Sequence, residues 1–110
     1  MVATYDDAGL IVQLMRWGTE MGLQESLAAL FSPDFDAEDG SKDNPDVRKV
    51  LFFGETVGTL VKHNVLDRAL LIDLLWIEGI WAQVDAFALH AREQSGVALL
   101  YENFEALASS

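Results

Sequence analysis

Prolines stop helices, and this chain holds only two, Pro33 and Pro45, which bracket one acidic stretch. Outside that stretch nothing removes a backbone N–H or forces the preceding residue into extended geometry. The apolar residues use that freedom at helical spacing, i, i+3, i+4 and i+7, and nowhere alternate as a half-buried strand would. No internal repeat is legible. The pattern predicts an all-α chain.

The expected helices follow from caps and breakers. Asp6 or Asp7 can cap the first, whose face carries Leu10, Ile11, Leu14, Met15 and Gly18. Gly18 and Gly22 predict a break or kink over 18–22. A second helix then runs to about Phe31, with Leu23, Leu27, Leu30 and Phe31 as its stripe, and Ser32-Pro33 ends it. The third has the clearest start: Asn44 as N-cap, Pro45 at the first helical position and Asp46 in the first turn. Its stripe runs from Val47 to Val61, and Asn64 can take the left-handed cap after it. Asp67 caps the next segment, which reads as two helices, about 68–78 and 80–94, or as one kinked helix, with the weak point at Gly79. Ser95-Gly96 ends it, and a short last helix spans about 97–108. Short connections favour antiparallel or angled neighbours. The expected architecture is one domain over residues 1–110, a compact bundle of five or six helices with an acidic loop at 32–45.

Composition narrows the function. Eighteen acids against seven Lys and Arg give a formal charge of −11, the wrong sign for nucleic acid or anionic membrane surfaces. The longest apolar run, ALLIDLLWI (69–77), is too short to span a bilayer and contains Asp73. The chain has no cysteine, so thiolate metal sites, disulfides and cysteine nucleophiles are excluded. The opening MVATYDDAGL has no basic region followed by an apolar core, so no secretory signal is expected and a cytoplasmic setting follows. Hydrophobic residues make up 51% even without the eight glycines, against roughly 45–50% in ordinary domains with glycine counted. A chain this small has limited interior, so some apolar surface should remain for a homo-oligomer contact or a protein partner.

The chemistry-bearing motifs each meet a plainer reading. DFDAEDGSKDNPD (34–46) places acids at alternating positions, as a calcium loop does. A calcium loop starting at Asp34 needs Gly at position 6 and Glu at position 12. Here those places hold Asp39 and Pro45, with Gly40 one residue late, so a solvated loop ending in a helix cap is expected. The residues three before His63 and His90 are Leu60 and Phe87, so neither makes a Glu-x-x-His pair, and no metal or cofactor is expected. Asp73 interrupts the most apolar run; it is simply exposed or, if buried, paired with a cation such as Arg48, Lys49, Arg68 or Arg92, with a perturbed functional acid as the sharper alternative. Gly54-x-x-x-Gly58 lies on an apolar face, where the missing side chains allow close approach of another helix, from the same chain or from a second copy. Phe53, Trp76 and Trp81 are either core or the lining of a ligand pocket. No catalytic set is legible, which leaves an enzyme the least supported class.

Three pieces in order, TVGTLVKHNVLDRALLIDLLW (56–76), IWAQVDAFALHAREQSG (80–96) and LYENFEALA (100–108), carry a resemblance to an uncharacterised bacterial family of small helical domains. The resemblance covers residues 50–108. It implies an all-helical fold and a bacterial cytoplasmic setting, and it transfers no catalytic residue. Together these readings point to a protein-association module, self-associating through leftover apolar surface. The alternative is a small-ligand module with a pocket at Phe53, Trp76 and Trp81.

Overall fold

The computed structural model describes residues 3–109, and among them the chain forms six helices and no strand. Helix α1 spans Tyr5–Met21. Its N-cap is Thr4, two or three residues earlier than the Asp6 or Asp7 expected. The Thr4 hydroxyl accepts the Asp7 N–H, and the Asp7 carboxylate accepts the Thr4 N–H at 2.7 Å. This is a reciprocal capping box with Asp in the place more often held by Glu. Gly18 stays helical and buried, and the break falls at Gly22, whose φ of 79° is left-handed. That one residue both ends α1 and starts α2 (Leu23–Leu30).

Helix α3 (Pro45–Lys62) starts as its sequence predicts: the Asn44 side chain accepts the N–H groups of Asp46 and Val47. Beyond its end Asn64 takes a φ of 59°, the left-handed cap. Helix α4 (Arg68–Leu74) is capped by the Asp67 carboxylate on the Leu70 N–H. Helix α5 spans Ile77–Ser95 and α6 spans Glu102–Ala108.

Two boundaries differ from the expectation. The α4–α5 break lies at Leu75-Trp76, and Gly79 sits inside α5. The reason is steric: the Trp76 ring lies against Gly79, where a Cβ would overlap it. That glycine serves a close approach and not a break. The last helix is shorter than expected, because residues 98–101 form turns and Tyr101 takes a left-handed φ of 64° before α6 begins.

Helix α3 is the centre, with α2, α5 and α6 packed on it. Val47, Val50, Leu51, Phe53 and Val57 are its buried face. Against them come Leu30 from α2, Leu71 from α4, Val84 from α5 and Phe104 from α6, each essentially without solvent contact. The acidic connection is seated on α5: Phe35 stacks on Phe87 with ring centres 5.6 Å apart, and Gly40 lies against the Ala86 backbone, where a side chain would not fit. No helix among the described residues is long and apolar enough to cross a membrane.

Candidate functional site

The three rings considered as a pocket are not brought together. Phe53 is buried and stacks on Trp17, ring centres 5.2 Å apart. Trp81 meets Phe104 edge-on at 5.0 Å. Trp76 lies at the α4–α5 junction and is 69% exposed. The void beside Phe53 is about 20 Å³, wholly apolar, and walled by Gly54, Val57, Leu75, Ile80 and Phe104. Ligand pockets of drug-like size run from about 300 Å³ upward. This void is a packing defect of one-water size, and neither Trp76 nor Trp81 lines it.

Gly54 and Gly58 are both buried by the chain's own α6. A Cβ at Gly54 would overlap the Phe104 ring, and one at Gly58 would overlap the Asn103 backbone. The spacing therefore seats α6 on α3, and a second copy has no access to it. The same contact carries a polar clamp. One Glu55 carboxylate oxygen accepts the N–H groups of Asn103 and Phe104, both at 3.0 Å. Helix α6 has no side-chain cap of its own, so Glu55 of α3 caps it from outside. The far end is held as well: Arg68 donates to the Leu107 carbonyl at 2.9 Å. Arg92 donates to the Leu100 carbonyl and to Glu105, joining α5 to α6.

Asp73 is exposed, so of the readings open to it simple exposure holds and no buried partner is needed. Leu71 takes the inward position of α4, and a residue two further on points about 200° round the helix. The buried acids are Asp7 and Asp67, at 5% and 6% exposure. Asp7 accepts the Asp67 N–H at 2.9 Å, tying the start of α1 to the start of α4. The Thr4 N–H holds the Asp7 carboxyl below its ordinary value, against the opposing cost of burial, with the Thr4 hydroxyl and the Asp67 N–H adding to the effect. The signal available in the sequence was Thr4-x-x-Asp7, a capping-box spacing. Both acids are fully engaged in holding helix starts.

Two acids of the 31–44 connection, Asp36 and Asp39, are engaged in local turns. Asp36 accepts the Glu38 N–H, and Asp39 accepts both the N–H and the hydroxyl of Ser41. The Ser41 hydroxyl and N–H, with lesser help from Lys42 and His90, hold the Asp39 carboxyl below its ordinary value. These are turns in which a side chain replaces a backbone acceptor. Among the described residues no group of three or more His, Asp or Glu is placed to hold a metal ion.

One feature of the apolar surface is an aromatic pair. Trp76 stacks on Phe31, ring centres 5.9 Å apart and planes 19° from parallel. Phe31 is the C-cap of α2 and is 45% exposed, so the pair joins the end of α2 to the α4–α5 junction. Leu74, two residues before Trp76, is also half exposed. Single exposed apolar residues are ordinary, but a stacked and exposed Trp–Phe pair is a contiguous apolar surface. Sequence reading placed Phe31 on the apolar stripe of α2 and Trp76 in the core or a pocket, and missed their pairing.

The model of a family described as a domain of unknown function (DUF4760) matches residues 11–110, so the chain belongs to that family. The match reaches well into the first half, beyond the resemblance read over residues 50–108. No curated protein and no solved structure matches the chain.

Proposed function

On the premise of that membership, which carries no activity with it, we propose that this single helical domain is a protein-association module of the bacterial cytoplasm. Its contact surface is the Phe31–Trp76 pair. One observation carries the reading. The Trp76 ring is held by Phe31 on one contact and by the bare Gly79 backbone on another, yet 69% of the residue stays in water. Fixing a large ring in place while leaving it exposed does little for folding. It suits binding, because a preorganised ring loses little freedom when a partner covers it, and Trp is enriched among residues that dominate interface energy.

A second reading, self-association, is favoured by another exposed ring. Phe52 is 59% exposed on α3 and meets Trp17 of α1 edge-on at 5.8 Å. Light scattering separates the two. A dimer at micromolar concentration that persists in Trp76→Ala and is lost in Phe52→Ser supports self-association through α1 and α3. A monomer at all concentrations removes self-association and leaves the Trp76 surface for a different protein. The ligand-pocket alternative is not supported by the apolar void beside Phe53, which neither Trp76 nor Trp81 lines.

A further inference from the structure

The two segments that meet at the Phe31–Trp76 stack are also the two longest stretches of the chain without a lysine or arginine, residues 17–41 and 69–91. Together they carry nine acids. Three of these, Asp34, Asp73 and Glu78, lie within three residues of one of the two rings, and all three are exposed. Five of the chain's seven cations are engaged away from the two rings. Arg68 and Arg92 hold α6, Lys62 faces Glu102, and Arg48 and Lys42 pair with Asp43 and Asp39 of the connection. The charged side chains nearest the two rings along the chain are all acids, and they set a negative local field.

That field decides what can cover the two rings. A second copy docked patch to patch would bring two acidic surrounds together, and like charges across a contact oppose it. A cationic segment would gain on three counts. Its charges meet acids, they steer its approach, and a Lys or Arg over an exposed indole face gains a cation–π contact. Resting on the association reading, we infer that the occupant of the Phe31–Trp76 surface is a Lys- or Arg-bearing segment of a different protein, with apolar anchors between its cations.

A random peptide library displayed on phage tests this. It is selected on the wild-type domain and counter-selected on Trp76→Ala, with a second round counter-selected on Phe31→Ser. Far-UV circular dichroism checks that both variants keep their helix content. The expected enriched peptides carry net positive charge and apolar residues. A synthetic copy of the leading peptide should bind Trp76→Ala about tenfold or more weakly, the loss of one good anchor. Its affinity should also fall about fivefold between 50 and 300 mM NaCl, as screening of near-surface charge requires. Enriched peptides that are neutral or acidic, or binding indifferent to salt, would overturn the cationic partner and leave association standing. No enrichment over the counter-selected variants would overturn both.

Discussion

Gly9 lies in the exposed middle of α1, with nothing within 4 Å of the place a Cβ would occupy. Gly9→Ala should raise stability by about 0.5–1 kcal/mol, the ordinary helix gain of alanine over glycine. At Gly54 the same methyl meets the Phe104 ring on the buried face of α3. Gly54→Ala should cost about 1–3 kcal/mol, the range for overpacking a filled core. Urea unfolding of the two variants measures both signs. Asp7 gives a pH prediction. Its folded carboxyl titrates below the 3.8 of an unperturbed aspartate. A depressed folded value means stability present above the unfolded value and lost as pH falls through the folded one. The melting temperature should therefore drop as pH is lowered through and below about 3.8. In Asp7→Asn that part of the slope should vanish, and the variant should already be less stable at neutral pH. Asn would set an N–H2 or lose an acceptor where Thr4 and Asp67 both donate.

Among the elements, α6 depends most on the rest of the chain. Seven residues cannot hold a helix alone in water. Its cap comes from Glu55, its C-terminal carbonyl is held by Arg68, and its seat is the bare backbone at Gly54 and Gly58. Glu55→Ala should cost about 1.5–3 kcal/mol, the range for hydrogen bonds to a charged group. Amide exchange should show α6 opening before α3. This element also marks how far sequence could see. Asn44-Pro45 and Asp67 announced the starts of α3 and α4 because a cap is a local interaction, readable from neighbours in the chain. The Gly54–Gly58 face was legible as a place of close approach, but its occupant lay some fifty residues away. The start of α6 was misplaced because its cap is a carboxylate from α3, which no local pattern encodes. Whether Asp73 faced in or out was not legible for a related reason: an apolar run on a short helix still has an outward side. By register the acidic connection reads as a solvated loop and not as a calcium loop. Its acids accept from Glu38 and Ser41, so calcium at millimolar concentration should leave the melting temperature where an equal ionic strength of NaCl leaves it.

For the whole molecule the dominant long-range term is the charge of −11 on 110 residues. Repulsion among the acids is relieved when the chain expands, so it works against the folded state. The ion pairs that oppose it are few among the described residues, and three of the four have both side chains substantially in water. Exposed pairs of that kind contribute little each. Salt screens both effects, but it removes a repulsion summed over many acids and only a handful of weak attractions. The first should win. Raising NaCl from about 10 to 500 mM should therefore raise the melting temperature by about 2–5 °C, the shift that a fraction of 1 kcal/mol gives in a domain of this size. Binding of a cationic partner at Trp76 should move the opposite way over the same range, because there screening removes an attraction. Parallel calorimetry and binding titrations on one salt series test the opposition. A fall in melting temperature with salt would mean that the ion pairs holding the connection and α6, Arg92–Glu105 foremost, outweigh the summed repulsion. Arg92→Gln would then abolish the salt response, whereas under the repulsion account it should leave the rise in place.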